Sequence, residues 1–264
     1  MRVVFRGAVA LQLDNLYRRV PVIFGHRGAS AYAPENTLAA FELALSQGAD
    51  GFEFDVILSA DGVPVVIHDD SVDRTTDGQG QVGRLRLAEL KRLNAGYPAK
   101  FDTKFRGEPI PTLAEVCQTF AGKAVMNVEL KSDPSPGRLL AARAVELIQA
   151  HRLERSVIVS SFHFDYLRRV KALNPSIPVG LLYTDARAAP LMRVLAAALR
   201  PEAHHPAHQH LAARRVSWYH AASLRVNAWT VDAESDLRRL VSAGVDGLIT
   251  NYPDRAVSVR AARA

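Results

Sequence analysis

Cysteine is nearly absent. The 264 residues contain a single one, Cys117, which excludes an internal disulfide and any multi-thiolate zinc or iron–sulfur site, and suits a reducing compartment. No apolar run approaches the roughly 18 residues of a bilayer-spanning helix. Near the start, Val3, Val4 and Phe5 are interrupted by Arg6, and Asp14, Arg18 and Arg19 follow before any small-residue cleavage site, so no signal peptide is expected. A cytoplasmic protein without stable membrane insertion is the expectation. Aromatic residues make up only 7% of the chain, and the arginines behind its formal charge of +6 are scattered rather than interleaved with them. With a pI near 9.7, this composition suits a small anionic substrate better than nucleic acid. Oligomeric state leaves no mark on the sequence.

With 48% hydrophobic and 23% charged residues, the chain has enough apolar material for a sizeable core. Apolar runs and strand-like alternations recur at regular intervals. Val22–Phe24, Phe52–Val56, Ala124–Glu129, Val157–Ser160, Val179–Tyr183, Ala203–His204, Arg225–Trp229 and Gly247–Thr250 read as eight strands. Helical stripes separate them. A helix from Thr37 has Asn36 or Thr37 as its cap and ends by Gly48; another carries Leu237, Leu240 and Val241 up to Gly244. Thr112 and Glu115 form a capping box ahead of Leu113, Val116, Cys117 and Phe120, which makes Cys117 a buried packing residue. The run at residues 63–67 returns too soon for a parallel crossover and should pair antiparallel with its predecessor. Eight strand–helix units with no linker-like break predict one (β/α)8 TIM-barrel domain over residues 1–264, with a small insertion at about 69–110. The doubly wound alternative lacks a GxGxxG turn after the first strand. The state of residues 1–20 is left open.

Polar residues fall where such a barrel keeps its chemistry, at the C-terminal ends of strands. His26 and Arg27 end the first; Glu53 and Asp55 share a face of the second; Glu129 and Lys131 close the third; Ser161 ends the fourth; Asn227 and Trp229 alternate along the seventh. Glu53, Asp55 and Glu129 offer only oxygen ligands, the preference of Mg²⁺ or Ca²⁺, although ion pairs with Arg27 and Lys131 would also satisfy them. A divalent ion beside an arginine and a lysine would receive a phosphate. His26 and His68 can divide the base and acid work of phosphodiester hydrolysis. No GxSxG elbow or Cys–His pairing supplies a protein nucleophile.

Six ordered motifs, HRGxxxxxPENT from His26, the Glu53/Asp55 pair, HDxxVDRTT from His68, VELK from Val128, WTVD from Trp229 and GVDGLITNYP from Gly244, resemble the glycerophosphodiester phosphodiesterase family. The resemblance runs from about residue 22 to the C-terminus. It implies a barrel with an insertion after the second strand and conversion of glycerophosphodiesters to sn-glycerol 3-phosphate and an alcohol. A divalent metal would sit on Glu53, Asp55 and Glu129, with acid–base work by His26 and His68. Arg27 and Lys131 would contact phosphate, and Trp229 would stand near the substrate or pack in the core. Asn251 occupies a position where Asp is also common in such proteins. A lysophospholipase D and a non-catalytic phosphate-binding protein are the competing readings. Pro34–Thr37 is expected to start a helix and brace Arg27, with Asn36 within reach of the site. In the cluster His204, His205, His208 and His210, one of the first two is expected near the rim.

Overall fold

The computed structural model describes residues 16–131, 138–184 and 198–262. Its strands are β1 (Val22–His26), β2 (Gly51–Leu58), β3 (Pro64–Val66), β4 (Val125–Leu130), β5 (Val157–Ser161), β6 (Val179–Tyr183), β7 (Ala203–Pro206), β8 (Arg225–Ala228) and β9 (Gly247–Thr250). The sheet runs β1-β9-β8-β7-β6-β5-β4-β2-β3, and β1 also pairs with β2, which closes eight parallel strands into a barrel. The pair β2–β3 is antiparallel, with Val56 opposite Val66, so β3 lies outside the barrel count as the short connection requires.

Helices follow most strands: α1 (Leu38–Ser46), α2 (Leu87–Leu90), α3 (Pro98–Phe101), α4 (Leu113–Phe120), α5 (Arg138–Ala150), α6 (Phe164–Leu173), α7 (Ala213–Ala221), α8 (Glu234–Ala243) and α9 (Pro253–Ala261). Local chemistry sets their ends. The Thr37 side chain accepts from the Ala40 amide at the start of α1; Thr112 and Glu115 cap α4 reciprocally; Gly244, at φ 81°, closes α8. Cys117 is buried on α4, where burial pushes its thiol up to about 12.

Strand alternation separates two cores. The outer face of β2 presents Phe52 and Phe54 to Phe41 of α1 and Phe120 of α4. Phe41 and Phe52 stack at 4.2 Å, and Phe120 meets Phe52 edge-on at 4.9 Å. Each buried ring of this size is worth about 2–3 kcal/mol in apolar burial. Inside the barrel, Val22, Phe24, Ile158, Ala203 and Ile249 pack with Leu16 and Tyr17. Space there is matched pairwise: a Cβ on Gly180 would lie 2.4 Å from His205 Nε2, and one on Gly247 2.2 Å from Asn227 Oδ1. The inward parity that starts with Val22 and Phe24 ends at His26, and that of Val125 and Asn127 ends at Glu129.

Between β3 and α4, Val72, Val82, Leu90, Ala95 and Ile110 pack with Ile57, Val65 and Ile67 as a separate small cluster. The sequence pattern indicates a helix near Leu87–Leu93, and α2, a single turn, is its helical part. It does not indicate α3, a single turn launched by Tyr97 in the left-handed region at φ 49° with Pro98 behind it.

Candidate active site

At the C-terminal rim, one ligand oxygen from each of Glu53, Asp55 and Glu129 lies within 4.8 Å of the others. All three carboxylates are buried. Parallel pairing of β2 and β4 places Asp55 opposite Glu129, so register alone brings residues 74 positions apart together. Three carboxylates in so little space oppose one another's ionisation. Burial, then Asp55 and Glu129, holds Glu53 well above its ordinary value. Burial and Asp55 likewise push Glu129 up to about 7. A buried, oxygen-only set whose charges raise each other's proton affinity fits a hard divalent cation.

Two cations border the cluster. Arg27 Nε lies 3.4 Å from Asp55 and its Nη1 2.7 Å from Glu35. Lys131 Nζ lies 3.1 Å from Glu129 and 3.7 Å from Asp55. These are the ion pairs that the residues admit without a metal. Arg27 has φ 56°, and its own amide donates to Glu53 Oε2 at 3.1 Å, so the bend after β1 ties backbone and side chain into the cluster. The PENT segment does what its sequence suggests. Glu35 braces Arg27, while Asn36 Nδ2 donates to Asp55 at 2.9 Å and Asn36 Oδ1 accepts from the Asp55 amide at 3.2 Å.

Each histidine is anchored through Nδ1. His26 Nδ1 lies 2.7 Å from Asn251 Oδ1, which also accepts from the Ser30 hydroxyl at 2.6 Å, while Asn251 Nδ2 donates to Asp232 at 2.6 Å. With that amide orientation Oδ1 is the acceptor, so the His26 proton sits on Nδ1. Nε2 then faces Glu53 at 4.0 Å. Burial, followed by the Arg27 charge, lowers His26 to about 4. His68 Nδ1 pairs with Asp69 Oδ1 at 2.6 Å. Trp229 follows β8, donates Nε1–H to the His205 carbonyl at 2.7 Å and meets the exposed Phe162 ring edge-on at 5.6 Å.

Several rim expectations are corrected. Ser161 faces away from the interior: its hydroxyl donates to the Leu130 carbonyl at 2.7 Å and accepts from the His163 amide, so it fastens two strand ends. Asn227 lies inside the barrel, donating to Tyr17 Oη at 2.7 Å with His205 Nε2 at 2.9 Å. Neither His204 nor His205 stands at the rim. His204 is stacked on Tyr219 at 4.9 Å and meets Tyr183 at 5.8 Å, and His205 points inward over Gly180. The side chain of His210 lies outside the described residues. Ser30, Asp232 and Asn251 are what the sequence reading passed over as site residues. The WTVD and TNYP motifs carried the signal, but their joint action depends on a contact spanning 225 residues between His26 and Asn251.

The match to known proteins follows the same residues. A family model described as the glycerophosphoryl diester phosphodiesterase family covers residues 26–255. A glycerophosphodiester phosphodiesterase of Caldanaerobacter subterraneus subsp. tengcongensis is 40% identical over 241 residues, 90% of this chain and 97% of the relative. An Oleispira antarctica phosphodiesterase, solved in complex with the product sn-glycerol-3-phosphate, superposes with a TM-score of 0.85 at 35% identity, covering 92% of this chain and 98% of that one. The glycerophosphodiester phosphodiesterase of Agrobacterium tumefaciens does so with a TM-score of 0.78 at 30% identity, covering 89% and 98%. A closed barrel whose strand ends carry these motifs, matched over nearly its whole length, belongs to the glycerophosphoryl diester phosphodiesterase family.

Proposed function

We propose that this enzyme hydrolyses glycerophosphodiesters to sn-glycerol 3-phosphate and an alcohol, with a divalent metal, Mg²⁺ or Ca²⁺, held by Glu53, Asp55 and Glu129. The observation that carries the reading is the placement of two imidazoles, each anchored through Nδ1, at a rim that also holds three buried carboxylates and two cations. When bound, the cation would polarise a non-bridging phosphoryl oxygen and offset charge in the transition state. Arg27 and Lys131 would pair with the other phosphate oxygens, exchanging part of their present contacts with the carboxylates for the substrate anion. Anchoring Nδ1 leaves Nε2 of His26 and of His68 as the atoms that take and give protons. One removes the proton of the attacking hydroxyl as the new P–O bond forms; the other protonates the alkoxide as the old P–O bond breaks. The attacking oxygen belongs either to water, which gives glycerol 3-phosphate directly, or to the substrate's own glycerol, which expels the alcohol and leaves a cyclic phosphate that water then opens to glycerol 3-phosphate; an analogue lacking the neighbouring hydroxyl separates the two.

The Trp229 and Phe162 rings, which meet edge-on at 5.6 Å, would offer the substrate an apolar surface. We read the chain as one domain with an insertion at about 69–110, and place it in the cytoplasm on the strength of its lone, buried thiol. No helix among the described residues is long and apolar enough to cross a membrane. A panel of glycerophosphocholine, glycerophosphoethanolamine, glycerophosphoinositol and lysophosphatidylcholine tests the assignment. Release of glycerol 3-phosphate from the first three, lost in His26→Ala, is expected. Lysophosphatidic acid as the principal product would indicate a lysophospholipase D instead, and no product from any of the four would end the enzymatic reading.

A further inference from the structure

One side chain outside the sets above ties together groups that the proposed reaction uses separately. Arg74 follows β3 by eight residues and grips two carboxylates. Its Nε lies 2.6 Å from Asp69 Oδ2 and its Nη2 3.1 Å from Asp69 Oδ1. On its other edge Nη1 lies 2.9 Å from Glu35 Oε2 and Nη2 2.8 Å from Glu35 Oε1. Both pairs are two-pronged, an arrangement that the planar guanidinium fork permits and an ammonium cannot reproduce. A third contact runs from Nη1 to the Tyr97 hydroxyl at 3.4 Å, with the guanidinium carbon 5.6 Å from the centre of that ring.

Each gripped carboxylate also holds a group of the proposed chemistry. Asp69 Oδ1 accepts from His68 Nδ1 at 2.6 Å, and Glu35 Oε1 accepts from Arg27 Nη1 at 2.7 Å. The connection His68–Asp69–Arg74–Glu35–Arg27 is therefore unbroken. The Arg74 hydrogen bond holds Asp69 down to about 2. Burial works against Glu35, but the Arg74 and Arg27 guanidiniums hold it at about 2. Both stay ionised at neutral pH and only accept, which fixes the His68 proton on Nδ1 and leaves Nε2 for substrate. Arg74 is over a third exposed, and exposed ion pairs add little to stability. Two chelated carboxylates at such a place are better explained by orientation than by folding energy.

We propose that Arg74 is a positioning residue that fixes the imidazole of His68, through Asp69, and the guanidinium of Arg27, through Glu35, as one unit, while Tyr97 ties that unit to the α3 turn later in the same segment. The inference rests on the roles given to His68 and Arg27 above. It also gives residues 69–110 a route to the chemistry.

The test combines kinetics with a signal that does not depend on activity. In the full-length protein, Arg74→Gln should lower kcat/KM on a glycerophosphodiester about 10- to 100-fold, as loss of an orienting partner does. Asp69→Asn should do the same, and the double variant should fall no further than the worse single one, since both changes break one connection. Arg74→Lys should recover little. Nitrogen NMR of the His68 ring should show the Nδ1-protonated tautomer in the wild type and a mixture in Arg74→Gln. Activity retained within about twofold in Arg74→Gln, losses that multiply in the double variant, or an unchanged His68 tautomer would overturn the proposal. Should Arg74→Gln fail to fold, Asp69→Asn and Glu35→Gln each remove one arm and are read in the same way. If the wild type cleaves no diester while the His68 signal still responds, the functional reading fails and the positioning stands.

Discussion

Asn251 Oδ1 accepts the Nδ1 proton of His26 at 2.7 Å, and Asp232 holds Asn251 in turn, Oδ1 accepting from its backbone N–H and Oδ2 from its side-chain Nδ2. The contact joins the end of β9 to the end of β1 across the closure of the barrel, and it determines which His26 nitrogen faces the acid cluster. Asn251→Ala would free the ring to change tautomer and rotate. We expect kcat to fall by about 10- to 100-fold with little change in metal affinity. Steady-state kinetics beside calorimetric metal titration checks both halves.

Glu53→Gln should separate function from stability. The acid cluster holds Glu53 well above its ordinary value, mainly through burial and the Asp55 charge, so a neutral amide relieves repulsion in the metal-free protein. We predict a metal-free form more stable by about 1–2 kcal/mol, read as a higher urea midpoint, together with nearly complete loss of activity. Added Mg²⁺ or Ca²⁺ should raise the Tm of the wild type and leave that of Glu53→Gln almost unmoved.

The strands and the acid cluster were legible in the sequence because both rest on alternation. Phe52, Phe54 and Val56 mark one face of β2, so Glu53 and Asp55 had to share the other, and the same logic carried Glu129 and Lys131. Depth along the barrel was not legible. His204 and His205 are neighbours on one strand and must face opposite ways, but the pairing of His205 with Leu182 decides that His205 sits inside rather than at the rim. Asn227 fell short of the rim because β8 carries it level with Gly247. Asn251 and Asp232 were read as motif letters, and only closure of the barrel shows what they hold.

His204 offers a prediction about acid stability. It is buried between Tyr183 and Tyr219, neither ring nitrogen has a hydrogen-bond partner among the described residues, and burial lowers it to about 4. Its folded-state value lies below the unfolded one, so there is no penalty above about pH 6.5. As the pH falls from there towards 4, the unfolded chain takes up a proton that the folded one refuses, and stability drops. His204→Phe keeps a ring between the tyrosines and removes that uptake. Denaturant titrations at pH 7 and 4.5 should show the acid loss reduced by about 2–3 kcal/mol in the variant. Equal losses in the two proteins would place the acid sensitivity elsewhere.

Gly180→Ala tests the interior. Its Cβ would meet the His205 ring at 2.4 Å, and that ring, packed inside the barrel and contacted by Asn227, has little room to withdraw. A loss of about 1–3 kcal/mol is expected, and pairing the change with His205→Ala should recover part of it. Thermal unfolding of the two single variants and the double variant measures the coupling.

The most direct measurement is glycerol 3-phosphate release from glycerophosphocholine by the purified protein, before chelation, after chelation, and after adding back Mg²⁺ or Ca²⁺. Activity that disappears with the chelator and returns with one of these ions in the wild type, but not in Glu53→Gln or Glu129→Gln, is the predicted result. Undiminished turnover in the chelated wild type, or full activity in the carboxylate variants, would contradict a reaction organised around Glu53, Asp55 and Glu129.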